Sequence, residues 1–160
     1  MRVLRPTSAS FSGRRRALVW LGAALTAAAM GSGRAVRADE PPSFRVIVHS
    51  SNPQKSVEKT FVADAFLKKV TRWADGEVIR AVDLHADSGV RRRFSEAVLK
   101  RTVVAVRSYW QQRIFSGRDV PPPELESEDN VVAFVAKYPG AIGYVSGAAK
   151  LVGVRELALE

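Results

Sequence analysis

The sequence predicts one α/β domain over residues 44–160. Stretches rich in β-branched residues alternate there with stretches whose apolar residues recur at steps of three and four. Such an alternation of strand and helix patterns is typical of α/β domains. No internal repeat is visible, and the 122 residues that follow position 38 suffice for one hydrophobic core.

The first half of the domain contains two predicted strands on either side of a helix. Residues 44–49 alternate partly between polar and β-branched side chains, which predicts a strand. A helix is predicted from Thr60, its candidate N-cap, to Val70, because apolar residues follow helical steps. A turn at residues 73–76 then leads into a second strand at 78–82.

Two further helices are predicted in the middle of the chain. One follows Asp87-Ser88-Gly89. The next spans about residues 102–115, with Gly117 as its C-terminal stop. Their apolar residues recur at helical steps: Val90, Phe94 and Val98 in the first, and Val106, Trp110 and Ile114 in the second. Three consecutive prolines at 121–123 predict an extended loop after them.

The last predicted helix and strands follow this loop. Ser127 is the candidate N-cap of a fourth helix, which Pro139 ends because proline cannot continue the backbone hydrogen bonds. We expect Gly140 to adopt a left-handed turn and residues 141–145 to form a buried strand. Gly143 would allow another group to approach that strand closely, and a short final strand is predicted within 151–159.

Residues 1–38 have the layout of a secretory signal peptide. Three arginines at 14–16 precede a 14-residue apolar run, and small residues end the segment at Ala38. The run is shorter than the roughly 20 residues that cross a membrane. We expect cleavage near Ala38/Asp39, a flexible lead-in at 39–43, and a periplasmic or secreted product. An uncleaved anchor helix is the alternative, and the paired arginines also allow twin-arginine export.

The charge of the chain belongs mostly to this segment. The whole sequence has a net charge of +9, but after position 38 only 18 basic residues face 16 acidic ones, a net charge of +2. No aromatic stacking pattern surrounds Arg91-Arg92-Arg93 and the charge after position 38 is near neutral, so nucleic acid is not an expected partner. The chain has no cysteine, which excludes disulfides, thiolate metal sites and a lipid-anchoring cysteine.

Three stretches, in order and spacing, resemble the phosphate-binding proteins of ABC importers. These are FLKKVTRWADG at 66–76, DSGVRRRF at 87–94 and VAKYPGAIGYV at 135–145. The resemblance covers about residues 44–150 and identifies a short, single-lobe-sized member of the phosphate ABC transporter substrate-binding family. It implies one lobe of a type II periplasmic-binding-protein-like fold, with a mixed sheet flanked by helices.

The sequence also departs from the family pattern. Full-length members have two lobes and about twice this length. Leu84 stands where the family's phosphate loop has an arginine, Val90 replaces a threonine, and Lys68 replaces a glycine. These changes argue against high-affinity phosphate binding of the family's usual kind.

Ser88 and Gly89 at a helix start form the candidate ligand site. The backbone N–H groups of Gly89, Val90 and Arg91 would point at an oxyanion, with the positive end of the helix behind them. The Ser88 hydroxyl could donate as well, and the Arg91 guanidinium could make a two-pronged contact. The alternative is that Ser88 or Asp87 only caps the helix and the arginines form a solvated face.

No pattern in the sequence indicates catalysis, a cofactor or a metal. His49 and His85 are isolated from clustered carboxylates, and no catalytic triad or nucleophile elbow is visible. The first hypothesis is therefore non-catalytic binding of phosphate or a similar oxyanion, with an ABC transporter permease or another periplasmic protein as partner. The second is a single-lobe interaction or structural protein that binds another protein or itself without phosphate affinity.

The signal-peptide interpretation predicts the N-terminus of the exported protein. Expression of the full chain in a Gram-negative host should give a periplasmic product that begins at or near Asp39, measured by intact-mass spectrometry and N-terminal sequencing. A product in the membrane fraction that retains the arginines at 14–16 would instead identify an anchor helix.

Overall fold

The computed structural model describes residues 43–160, and the predicted signal peptide and residues 39–42 of the lead-in lie outside the described residues. The described part forms an α/β unit whose central sheet has five strands in the order β2-β7-β1-β6-β3. These strands are β1 Phe44–His49, β2 Ser56–Val57, β3 Arg80–Ala81, β6 Ala141–Ser146 and β7 Val154–Leu159. Within residues 43–160, no helix is both long and apolar enough to cross a membrane.

The sheet is mixed, as predicted. Strand β1 lies between β6 and β7 and is antiparallel to both, whereas β3 runs parallel to β6 and β2 runs parallel to β7. A separate parallel pair joins β4 (Asp83–Leu84) to β5 (Glu124–Leu125). The predicted strand at 78–82 is therefore shorter than expected, and the proline-rich loop ends in a strand that the sequence did not predict.

Four α-helices flank the sheet. They are α1 Lys59–Phe66, α2 Gly89–Phe94, α3 Val103–Phe115 and α4 Glu128–Lys137, and a π-helical segment, Ser95–Leu99, extends α2. Thr102 and Ser127 cap α3 and α4 by accepting hydrogen bonds from the N–H groups of Ala105 and Asn130 at 3.2 Å. The capping role predicted for Ser127 is confirmed. Ile114 was expected on the buried face of α3, but it is half exposed.

Strand β6 is the centre of the core, because each of its first five residues is buried. Successive side chains point to opposite faces of a sheet. A Cβ atom at Gly143 would lie 2.7 Å from Val131 of α4, so the lack of a side chain lets α4 pack directly on the strand, as predicted. On the other face, the Tyr144 ring packs against Phe66 of α1 and Phe94 of α2.

Gly140 has a different role from the one predicted. The described glycines with positive φ are Gly76, Gly117 and Gly153, so the expected left-handed turn at Gly140 is wrong. A Cβ atom at Gly140 would lie 2.0 Å from the carbonyl oxygen of Val78. Glycine is required there because two backbone segments pass too close for any side chain.

Helix α1 begins and ends earlier than predicted. Its N-cap is Glu58 rather than Thr60, and the Thr60 hydroxyl donates to the Glu58 carboxylate at 2.9 Å. The helix ends at Phe66 because the backbone of Lys68 turns into the left-handed region, with φ of 53°. A residue with a Cβ atom adopts this conformation at a cost of about 1–2 kcal/mol. Position 68 thus has the conformation that favours the glycine found in the resembled family.

Replacing Lys68 by glycine should stabilise the protein. We expect Lys68→Gly to raise the free energy of unfolding by about 0.5–1 kcal/mol, because the relieved left-handed strain exceeds the entropic cost of glycine. Urea denaturation measures this. Lys68→Ala keeps the Cβ atom and should bring no gain, so equal stability of the two variants would contradict the strain argument.

Candidate functional site

The candidate site lies in the loop between β4 and α2, at the carboxyl end of β4. The Ser88 N–H donates to the His85 carbonyl at 3.0 Å, and this turn places Ser88 at the N-cap of α2. The Ser88 hydroxyl oxygen accepts from the Arg91 N–H at 3.3 Å. The capping interpretation of Ser88 is therefore confirmed, and its hydroxyl proton stays available to a ligand.

The first two backbone donors of α2 have no acceptor within the helix. Gly89 and Val90 occupy the first two helical positions, where N–H groups lack intrahelical partners. Gly89 is exposed, whereas the Val90 side chain is buried in the core. The Asp87 carboxylate is 93% exposed and lies 3.5 Å from His85 Nδ1. It therefore turns away from these N–H groups instead of capping them.

The Arg91 side chain lies inside the protein. Only 4% of it is exposed, and its Nη1 forms an ion pair with Asp83 and donates to the Leu84 carbonyl at 3.2 Å. Its Nη2 lies 3.7 Å from the Glu124 carboxylate. Burial lowers the pKa of the guanidinium, and the negative charge of Glu124 partly offsets this effect. A two-pronged contact of Arg91 with an oxyanion would require the guanidinium to leave Asp83.

Tyr144 completes the buried polar group around Asp83. Its hydroxyl donates to the Asp83 carboxylate and accepts from the Leu84 N–H at 3.3 Å. Its ring stacks on Phe94 with 3.9 Å between the ring centroids. Sequence reasoning missed this network. Asp83 could have revealed the network, because an acidic residue between buried Val82 and Leu84 requires hydrogen-bond or ion-pair partners.

Two other arginines lie closer to solvent beside the loop. Arg92 of α2 and Arg107 of α3 line a cleft of about 380 Å³, together with Ala86, Asp87 and Glu96. Both arginine side chains are exposed, and Arg107 forms no ion pair with any residue in 43–160. Sequence reasoning did not identify Arg107, because α3 brings it to the loop only through the tertiary fold.

The histidines take ordinary local roles. His49 shares a hydrogen bond of 2.7 Å with the Ser51 hydroxyl, and His85 faces Asp87. Within the described residues, no three His, Asp or Glu side chains cluster in a way that could hold a metal ion.

Comparison with known proteins identifies the fold. No protein-family model matches the chain, and a search of curated proteins finds no match. Solved structures do match over 74% of this chain. One is from Clostridium perfringens, is classed as a phosphate ABC transporter substrate-binding protein and contains bound phosphate (21% identity, TM-score 0.59). Others are an ABC-type phosphate transport receptor from Vibrio cholerae (16%, 0.58) and PstS from Borrelia burgdorferi (12%, 0.57).

These matches cover 45%, 46% and 47% of the three solved chains, so this chain spans less than half their length. At such identities the likeness shows the fold. The predicted fold class, one lobe of a periplasmic-binding-protein-like α/β fold with a mixed sheet and flanking helices, is confirmed.

The buried network predicts that loss of the Tyr144 hydroxyl lowers the stability of the protein. Tyr144→Phe removes a hydrogen-bond donor from the buried Asp83 carboxylate and one of the two acceptors of the Leu84 N–H, the other being Asp83 Oδ1. We expect the free energy of unfolding to fall by about 1–3 kcal/mol in chemical denaturation. Tyr138→Phe is the control, because the Tyr138 hydroxyl has no hydrogen bond within residues 43–160. Equal effects of the two variants would contradict the network.

The same hydroxyl predicts a pH dependence. Burial raises the pKa of Tyr144 above its ordinary value of about 10. The unfolded chain therefore loses this proton at a lower pH than the folded chain, so the stabilisation is complete below about pH 10 and declines above it. With Tyr144→Phe, the free energy of unfolding should fall less steeply with pH above about pH 10. An unchanged slope would mean that the hydroxyl is not buried.

Proposed function

We propose that the protein is an exported, non-catalytic binding module that captures phosphate or a similar oxyanion at the N-terminus of α2. The ligand would accept hydrogen bonds from the backbone N–H groups of Gly89 and Val90 and from the Ser88 hydroxyl. Arg91 would contribute indirectly, by holding α2 in place through its buried ion pair with Asp83. No residue would perform chemistry on the ligand.

The observation that carries this proposal is the open start of α2. The N–H groups of Gly89 and Val90 lack intrahelical acceptors, and the exposed Asp87 carboxylate lies 3.5 Å from His85 Nδ1. A helix N-terminus has a partial positive charge that favours anions. The likeness to solved phosphate-binding proteins agrees with an oxyanion as the ligand.

The departures from the resembled family lead us to expect weak affinity. The Leu84 side chain cannot supply the charge of the arginine that it replaces, and Val90 lacks the hydroxyl of a threonine. The described residues provide one lobe-sized unit, so a bound anion would keep part of its hydration. A dissociation constant of about 1 mM would correspond to about −4 kcal/mol.

Export and partners belong to the same proposal. Cleavage near Ala38/Asp39 would release the module into the periplasm or outside the cell. There it could deliver its ligand to an ABC transporter permease or act with another periplasmic protein. The solved neighbours, which are described as ABC transport proteins, agree with this role.

A second candidate function is supported by exposed apolar residues at and just after the end of α3. Phe115 at the end of α3 is 90% exposed, and Ile114 and Val120 nearby are 50% and 63% exposed. Exposed apolar groups of this kind mark interaction surfaces. The alternative is therefore a single-lobe interaction protein that binds another protein or itself, without phosphate affinity.

Calorimetric titration of the protein with phosphate and sulfate tests the proposed function. Phosphate should bind weakly to the wild-type protein, and Ser88→Ala should abolish the signal because it removes the hydroxyl at the site. Ser127→Ala is the matched control, since Ser127 caps α4 in the same way, and the two changes should lower stability alike, by about 1 kcal/mol.

Two outcomes would reject this proposal. Absence of heat at millimolar phosphate would rule out the proposed oxyanion binding and favour the interaction protein. Sedimentation should then show self-association, and Phe115→Ser should weaken it. Equal phosphate affinity of Ser88→Ala and Ser127→Ala would show that the anion binds elsewhere.

A further inference from the structure

A second cleft lies on the other side of Arg107, between α3 and the proline-rich loop. Its volume is about 140 Å³, close to the roughly 150 Å³ of a protein cavity that holds benzene. Ser88 and Gly89 do not line it, so it is separate from the oxyanion site proposed above. Its walls are largely apolar and consist of Val103, Trp110, Ile114, Pro121 and Pro122.

Four charged side chains also line this cleft: Asp83, Arg91, Arg107 and Glu124. The Oδ1 atom of Asp83 contacts the Arg91 guanidinium, the Tyr144 hydroxyl and the Leu84 N–H. Glu124 is 42% exposed and lies 3.7 Å from Arg91 Nη2, which is longer than a hydrogen bond. Within residues 43–160, Arg91 Nη2 therefore has an ion-pair contact with Glu124 but no hydrogen bond to a carboxylate.

Arg107 adds a second positive charge at the same cleft. Within residues 43–160 it forms no ion pair, and its charge contributes, after burial, to lowering the pKa of Arg91. The two guanidinium groups thus repel each other, and an anion beside both would relieve that repulsion. Guanidinium groups match carboxylates particularly well, because both are planar and can form paired hydrogen bonds.

We infer that this cleft binds a small carboxylate with an apolar body about the size of a benzene ring. The apolar body would lie against Trp110 and Pro122, and the carboxylate would accept hydrogen bonds from Arg91 Nη2 and Arg107. Glu124 competes for Arg91 Nη2, so it limits the affinity of the cleft. This inference does not depend on phosphate binding at Ser88.

Benzoate is the probe that tests the inference. In ¹⁵N–¹H NMR spectra of the whole protein, benzoate should shift the indole N–H resonance of Trp110 in a saturable manner and leave that of Trp73 unchanged. Benzamide has the same shape without the charge and should bind at least about tenfold more weakly, as expected for loss of charge-assisted hydrogen bonds.

Three variants assign the contacts. Arg107→Gln should weaken benzoate binding at least about tenfold, while Arg118→Gln, a change of an exposed arginine outside the cleft, should leave it unchanged. Glu124→Gln should strengthen binding because it removes the competing carboxylate. None of these changes removes a contact of Asp83 with Arg91 Nη1.

Several results would overturn the inference. They are no saturable shift of Trp110 with benzoate, equal binding of benzamide, or equal affinities of the Arg107→Gln and Arg118→Gln variants. Phosphate binding in the Ser88 experiment would survive each of these results. Conversely, Ser88→Ala should leave benzoate binding intact, so failure of either proposal is distinguishable from failure of the other.

Discussion

The buried ion pair between Asp83 and Arg91 joins helix α2 to the small β4–β5 sheet. Asp83 begins β4 inside the core, where an unpaired carboxylate would be costly, and among residues 43–160 only the Arg91 guanidinium forms an ion pair with it. Tyr144 connects this pair to the central strand β6 through its hydroxyl, and its ring stacks on Phe94 of α2. The position of the candidate loop at Ser88 therefore depends on a polar contact in the protein interior.

This constraint also determines which groups remain for a ligand. Because Arg91 turns inward to Asp83, the start of α2 offers backbone N–H groups and one hydroxyl rather than a guanidinium. The exposed positive charge near the loop comes instead from Arg92 and from Arg107 on α3. A site of this composition fits weak, reversible capture of an anion better than tight sequestration, since exposed charges are screened by salt.

Local patterns predicted much of the fold and less of the site. Strand β1, the cap at Ser127 and the close packing at Gly143 were predicted from periodicity, a hydrogen-bonding side chain and the lack of a Cβ atom, all of which are local properties. The end of α1 was missed because the helical spacing continues to Val70 while Lys68 adopts a left-handed conformation. The Asp83–Arg91–Tyr144 network was missed because it joins residues up to 61 positions apart.

The stability of variants at two adjacent arginines tests the central role of the ion pair most directly. Arg91→Met leaves Asp83 buried without its partner, so the free energy of unfolding in urea should fall by about 3–5 kcal/mol. Arg92→Met changes an exposed neighbour on the same helix and should have an effect of about 0.5 kcal/mol or less. Similar, small losses in both variants would contradict the account, because α2 would then be held by apolar packing alone.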